Sequence, residues 1–122
     1  MNPRETISNI AQIYNVDSVG LFGSRARGDF REDSDYDIFI IGSLNLNQEL
    51  ALEAELERTL DKSVDVVKLN EDIDRILLKN IVNDAEVIYS KNNAFEKLYD
   101  FVEIFFAENS DFIQMRERDL ID

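Results

Sequence analysis

The sequence predicts an α/β domain built on a small sheet, because short apolar runs alternate with amphipathic helical segments along the chain. The 122 residues are enough for one hydrophobic core and leave little room for a second. No internal repeat, low-complexity tract or linker divides the chain. The predicted strands are residues 18–22, 35–42, 64–67 and 86–89, and the last of these is expected at an edge of the sheet.

Helix signals precede the first predicted strand and separate the second strand from the third. Asn2 can cap a helix that has Pro3 at its first position, with Glu5 placed to complete a capping box. The next helix is predicted between Asn47 and Leu60. The apolar residues at helical spacing are Ile7, Ile10, Ala11 and Tyr14 in the first helix and Leu52, Leu56 and Leu60 in the second. The second helix also carries a row of glutamates predicted to face solvent, namely Glu49, Glu53 and Glu57.

Two further helical regions are predicted after the third strand. Asn70 is expected to cap the first, with Glu71 and Asp72 in the first turn, where acidic side chains are favourable. Its inward-facing residues are predicted to be Ile73, Ile76, Leu77 and Ile81. From Ala94 onward an aromatic stripe predicts a C-terminal helix, which either packs across the sheet or docks onto a partner. After a break at Asn109, a final short helix is predicted to carry Phe112, Ile113 and Met115.

The composition narrows the chemistry that this chain can perform. It has no cysteine and no histidine, which excludes disulfides, thiol nucleophiles, Ser-His-Asp triads and imidazole or thiolate metal sites. Acid–base or metal chemistry must therefore use carboxylates, whose oxygens suit Mg²⁺ or Mn²⁺. We expect a cytoplasmic protein without membrane contact, because the sequence has neither a secretory signal nor a membrane-spanning stretch.

The charge of the chain also bears on its partners. The 26 acidic and 13 basic residues give a net charge of −13. This charge disfavours binding to a nucleic-acid backbone and favours a basic protein partner. The alternative interpretation is that the acidity only keeps a small protein soluble.

Three aspartates are candidate metal ligands. Asp35 and Asp37 lie at the start of the second strand, where alternation puts both carboxylates on one face. Their Cα atoms are expected about 7 Å apart, at about 3.4 Å per residue, which suits a pair of metal ions about 3.5–4 Å apart. Asp65 joins them if the third strand is a neighbour; otherwise it is a strand-end residue facing solvent. Without a cation such carboxylates would repel, and one would tend to take up a proton.

The Gly23-Ser24 pair follows the first strand and is placed to start a short turn of helix. Glycine permits a close approach of the backbone, and exposed amides with the Ser24 hydroxyl can hold phosphate oxygens. Arg25 and Arg27 add positive charge nearby and are candidate nucleotide-binding residues. Their structural alternative is pairing with acidic residues of the following loop, which are Asp29, Glu32 and Asp33.

Gly23-Ser24, ten intervening residues, Asp35, one residue and Asp37 together match the signature of the polymerase-β-like nucleotidyltransferases. Asp65 stands where that superfamily has its third aspartate, and the resemblance covers roughly residues 5–90. Within the superfamily, the stretch GSRARGDFREDSDYDIFII and the short chain resemble the minimal nucleotidyltransferase (MNT) antitoxins, the partners of HEPN-domain ribonuclease toxins. The resemblance implies the polymerase-β-like nucleotidyltransferase fold, a small mixed sheet flanked by helices.

The same resemblance implies an activity, which is the transfer of AMP from ATP to a tyrosine of the toxin. Gly23 and Ser24 would hold the triphosphate, and the three aspartates would bind two Mg²⁺ ions, with Mn²⁺ as the other candidate. Arg25 or Arg27 would steady the charge of the leaving pyrophosphate, and Asp65 could take the proton of the attacking hydroxyl. The modified toxin would be silenced, and toxin and antitoxin would form a hetero-oligomer.

Residues 1–92 are then expected to form the minimal nucleotidyltransferase domain, and residues 93–122 a C-terminal helical extension packed on it. Two other functions stay open. One is a non-enzymatic antitoxin that binds a basic toxin by charge, and the other is an enzyme that adenylylates a small-molecule hydroxyl. Three converging carboxylates argue against the first, and the lack of a second domain for the acceptor argues against the second. A template-directed polymerase is least favoured by charge and size, and direct contact with nucleic acid is not expected.

Overall fold

The computed structural model describes residues 2–109, and within this part of the chain five helices and four strands follow one another. The helices are α1 (Pro3–Ile13), α2 (Ser24–Arg27), α3 (Leu46–Leu60), α4 (Arg75–Asp84) and α5 (Ala94–Glu108). The strands are β1 (Ser18–Phe22), β2 (Tyr36–Ile41), β3 (Val64–Lys68) and β4 (Glu86–Ser90). The predicted α/β class is confirmed, whereas the final helix predicted around Phe112 lies outside the described residues.

The four strands form one sheet in the order β3-β2-β1-β4. β1 is antiparallel to both of its neighbours, while β2 and β3 run parallel. The long connection through α3 returns the chain from the end of β2 to the start of β3, as a parallel pair requires. The sheet is therefore mixed, as expected, and β2 and β3 begin at the same end.

Alternation along the strands divides the core into two layers. On one face Ile38 and Ile40 of β2 pack with the buried residues of α1 and α3. On the other face Phe39 of β2 packs with the buried residues of α4 and α5. Asp37, two residues before Phe39, belongs to this second face. The predicted assignment of side chains to the two faces of β2 is thus correct.

The first and third helices begin where short polar side chains satisfy free backbone amides. The Asn2 carboxamide oxygen accepts the Arg4 N–H at 3.0 Å, so α1 begins as predicted, with Pro3 in its first turn. Asn45 and Gln48 form a reciprocal capping box, with both bonds at 2.9 Å. Therefore α3 begins at Leu46, slightly earlier than the sequence predicted.

The start of α4 corrects the prediction. Asn70 accepts the Asp72 N–H at 2.8 Å within a turn, but the helix starts only at Arg75, with Asp74 as its N-cap. The Asp74 carboxylate accepts the amides of Ile76 and Leu77 at 2.9 and 3.0 Å. The shift changes the buried face, which consists of Leu78, Ile81 and Val82. Leu77 was predicted to face inward, but its side chain is 48% exposed.

α5 packs across the sheet on the face that carries Phe39. Leu98 and Val102 are buried there, and the Phe95 ring lies 5.6 Å from the Phe39 ring between centroids. The inner side of the aromatic stripe therefore closes the core, which is one of the two predicted roles. Residue Ile104 on the outer side is 59% exposed. Of the helices in residues 2–109, none combines the length and the apolar character that a membrane crossing requires.

Candidate active site

The ends of three strands place the backbones of Gly23, Asp37 and Asp65 side by side. Phe22, the last residue of β1, is the antiparallel partner of Asp37, so Gly23 follows directly beside that aspartate. Asp65 of β3 is the parallel partner of Asp37 on the other side. Asp35 immediately precedes β2. The predicted neighbourhood of the aspartate strands is therefore present, with Asp37 in the middle.

Gly23 packs against the Asp37 carboxylate. Its backbone has φ 71° and ψ −153°, a combination that is essentially restricted to glycine. A Cβ atom at this position would overlap Asp37 Oδ2. Both observations mean that only glycine allows β1 to turn into α2 while the carboxylate stays where it is.

The short helix α2 begins at Ser24, immediately beside this carboxylate. The Gly23 carbonyl accepts the amides of Ala26 and Arg27 at 3.2 and 3.0 Å, which fixes the turn. Gly28 ends the helix in the left-handed conformation, with φ 87°. The predicted helical turn after Gly23-Ser24 is present, and it places Ser24 at the edge of the aspartate cluster.

The electrostatics of the cluster centre on Asp37. Partial burial raises the pKa of the Asp37 carboxyl, and the negative charges of Asp65 and Asp35 raise it further. The positive charge of Arg27 lowers that pKa, although not enough to cancel the increase. Ionised Asp37 is therefore held against a free-energy cost that a bound cation would relieve.

Glu53 of α3 is a fourth acidic residue near the aspartates, and its helical spacing predicted that it faces solvent. Its side chain is instead half-buried. Burial raises the pKa of the Glu53 carboxyl, with further contributions from Glu57 and Asp65, while a hydrogen bond with the Val66 backbone lowers it. The signal for this position was not in the local pattern, because it depends on α3 covering the outer edge of β3.

The aspartates fit a divalent cation by donor type and backbone position. In residues 2–109, no three acidic side chains are so arranged that they could ligate one ion without moving. Asp37 and Asp65 nevertheless lie directly opposite each other in register, and a change of side-chain rotamer alters the separation of carboxylates without moving the backbone. The aspartates therefore suit a divalent cation in the position of their backbones and in the type of their donor atoms.

Arg27 and Arg25 lie in different surroundings. Arg27 donates to Asp84 at 3.0 Å and to Asp29 at 3.4 Å, and its charge acts on Asp37. The bond to Asp29 is one of the loop pairings that the sequence suggested as a structural alternative. The Arg25 guanidinium instead stacks on Tyr36, whose side chain belongs to the opposite face of β2. Of these two arginines, Arg27 is thus the one whose charge is seen to act on Asp37.

Comparison with known families identifies the class of protein. The family described as polymerase beta, nucleotidyltransferase matches residues 5–94. The chain belongs to this family, and the predicted superfamily is confirmed. No match was found among curated proteins.

Solved structures extend the likeness to nearly the whole chain. A chain from a toxin–antitoxin complex with AMP-PNP is 20% identical, with a TM-score of 0.81 and 98% of both chains covered. A chain from tri-AMPylated Shewanella oneidensis HEPN toxin in complex with MNT antitoxin is 18% identical, with a TM-score of 0.75 and coverage of 98% and 97%. A structure described as a minimal nucleotidyltransferase is 30% identical, with a TM-score of 0.58 over 68% of this chain and 86% of that one. The fold of this chain is therefore that of the minimal nucleotidyltransferases.

Proposed function

We propose that this protein is an MNT-type antitoxin that transfers AMP from ATP to a tyrosine of a cognate HEPN ribonuclease toxin. The observation that carries the proposal is the register of Asp37 and Asp65, with Gly23 packed against the Asp37 carboxylate. Membership of the nucleotidyltransferase family supports the reaction type. The likeness to chains from toxin–antitoxin complexes, one with AMP-PNP and one with an AMPylated toxin, supports the substrate and the acceptor.

In the proposed reaction, the turn at Gly23 and Ser24 receives the triphosphate. α2 begins at Ser24, directly after the glycine that packs against the Asp37 carboxylate, and backbone amides and hydroxyl groups at such a turn can bind phosphate oxygens. Asp35, Asp37 and Asp65 are the residues that would hold two Mg²⁺ ions. When bound, these ions neutralise phosphate charge and lower the pKa of the attacking hydroxyl.

The chain's own residues would then orient the substrates and receive the proton. The tyrosine oxygen of the toxin forms a bond to the α-phosphorus of ATP, while the bond from that phosphorus to the bridging oxygen breaks and pyrophosphate leaves. Asp65 has an exposed side chain and takes the hydroxyl proton as general base. Arg27, coupled to Asp37 across the same site, stabilises the charge that develops on pyrophosphate.

The acceptor reaches this site from solvent. Loop residues 28–33 beside the site are exposed, and they include the acidic side chains of Asp29, Glu32 and Asp33. With a net charge of −13, the protein attracts a basic partner and repels nucleic acid. These properties support a protein acceptor and a complex of the antitoxin with its toxin.

The test is incubation of the purified protein with its neighbouring-gene toxin, ATP and Mg²⁺, followed by intact-mass measurement of the toxin. We expect the toxin to gain one or more AMP units with the wild type and none with Asp35→Asn. Asp33→Asn is the matched control, because it removes the same charge from the adjacent exposed loop. A toxin that is silenced without any gain in mass would refute the enzyme and support the non-enzymatic antitoxin.

A further inference from the structure

The guanidinium of Arg25 is held in a clamp between Phe30, in the loop that leads to Asp35, and Tyr36, the first residue of β2. Its Cζ atom lies 3.9 Å from the centroid of the Tyr36 ring and 4.6 Å from that of the Phe30 ring. Such stacking uses the flat faces of the guanidinium, and a lysine ammonium lacks these faces. Tyr36 is buried, with 7% of its surface exposed, so one of the two rings is a fixed part of the core.

The edge of the same guanidinium is bonded to the backbone of the loop. Nε and Nη2 of Arg25 donate to the Ser34 carbonyl at 3.2 and 2.8 Å. Nη2 also donates to the Glu32 carbonyl at 3.3 Å. The segment that contains these two carbonyls has no helix or strand of its own. The Arg25 side chain therefore connects it to Tyr36 at the start of β2.

The clamped segment ends where the candidate metal ligands begin. Ser34 is bonded to Asp35, and Tyr36 lies between Asp35 and Asp37 in the chain. From this geometry we infer that Arg25 is a positioning residue, which fixes the loop so that the Asp35 carboxylate is presented to the metal–nucleotide site. The inference rests on the proposed function for the role of Asp35, and it replaces phosphate binding as the role of Arg25.

The Arg25 guanidinium lies away from the face of the sheet that carries Asp37. Arg25 lines a cleft of about 270 Å³ together with Pro3 and Arg4 at the start of α1. Tyr36, its stacking partner, points to the α1–α3 face of the sheet, opposite to the face of Asp37. Arg25 therefore acts through the backbone that carries Asp35.

The experiment measures Mn²⁺ binding by electron paramagnetic resonance in the presence of α,β-methylene-ATP, whose α–β linkage cannot be cleaved. The variants are Arg25→Lys, Arg25→Gln and Phe30→Leu, and the exposed Arg31→Gln is the matched control in the same loop. We expect both Arg25 variants to weaken Mn²⁺ binding by about tenfold or more, in the range seen when groups supporting metal ligands are removed. Phe30→Leu should weaken it less, and Arg31→Gln should leave it within about twofold, as expected for a side chain that supports no metal ligand.

Hydrogen exchange of residues 28–35 provides a readout that does not depend on metal or activity. Exchange should become faster in both Arg25 variants and stay unchanged in Arg31→Gln, with thermal unfolding as the check that each variant is folded. If Arg25→Lys binds Mn²⁺ and exchanges like the wild type while Arg25→Gln loses nucleotide affinity, charge alone is needed and the inference is wrong. If the wild type itself fails to bind Mn²⁺ in the presence of the nucleotide, the proposed function is wrong, and with it the metal-site role of Arg25. Wild-type binding with unaffected Arg25 variants overturns the clamp alone.

Discussion

Substitution of Gly23 by alanine tests how tightly the turn and the carboxylate site are packed together. Alanine at φ 71° and ψ −153° has a backbone strain of about 1–3 kcal/mol. The added Cβ also overlaps Asp37 Oδ2, and overpacking of this kind costs a further 1–3 kcal/mol or so. We therefore expect Gly23→Ala to lower the free energy of unfolding by about 2–6 kcal/mol and to abolish AMP transfer, because Asp37 must move.

Gly28→Ala is the control, since this glycine lies at the other end of α2. It also has a positive φ of 87°, but a Cβ there would meet no atom within 4 Å. Only the strain of the left-handed conformation applies, about 1–2 kcal/mol. Urea unfolding should therefore rank the wild type above Gly28→Ala and Gly28→Ala above Gly23→Ala, and Gly28→Ala should retain AMP transfer.

A double mutant separates the two contributions at Gly23. In an Asp37→Ala background the overlapping oxygen is gone, so Gly23→Ala should cost only its backbone strain. A coupling free energy of about 1–3 kcal/mol between the two positions is expected for contacting residues. Equal losses of stability in Gly23→Ala and Gly28→Ala, together with no coupling to Asp37, would refute the packing argument.

Two further substitutions test the sheet and its charges. Asp37→Asn should raise the melting temperature at pH 7, because burial and the charges of Asp65 and Asp35 raise the pKa of the folded-state carboxyl. In the wild type this destabilisation develops as pH rises from the ordinary carboxyl pKa of 3.8 through the folded-state value. The difference in melting temperature between Asp37→Asn and the wild type should therefore disappear below the ordinary carboxyl pKa of 3.8, where the carboxyl is protonated in the folded and the unfolded state. Equal melting temperatures at pH 7 would contradict a raised pKa of Asp37. Gly20→Ala should cost about 1–3 kcal/mol in urea unfolding, because its Cβ would lie 2.5 Å both from a Phe39 ring carbon and from a backbone carbonyl oxygen of β4. An unchanged unfolding midpoint would show that the ring and the neighbouring strand both shift at little cost.

The strand assignments and the faces of β2 were predictable because a period of two leaves few alternatives. Asp37, Phe39 and Ile41 were expected on one face, and the structure places Phe39 and Ile41 together in the α4–α5 layer. The neighbourhood of Asp65 was conditional on the order of the strands. That order depends on how α3 crosses the sheet, which the local sequence around Asp65 does not specify.

The errors arose where several similar residues compete for one role. Asn70 and Asp74 are both good N-caps, and the structure uses Asn70 for a turn and Asp74 for the helix. The two arginines of α2 looked equivalent in sequence. Their roles differ because Arg25 meets the rings and carbonyls of the loop, whereas Arg27 reaches Asp84, a partner 57 residues away. The contact between Arg27 and Asp84 in particular leaves no signal in the local sequence, because it depends on how distant elements pack.

In the proposed reaction the toxin receives AMP, and therefore only the α-phosphate of ATP. The most direct measurement is incubation of the antitoxin and toxin with ATP labelled on either the α- or the γ-phosphate, followed by separation of the two proteins. We expect the α-label to appear on the toxin with the wild type and to be lost with Asp65→Asn, and the γ-label never to appear there. Transfer of the γ-label, or full α-labelling by Asp65→Asn, would rule out AMP transfer by the aspartates.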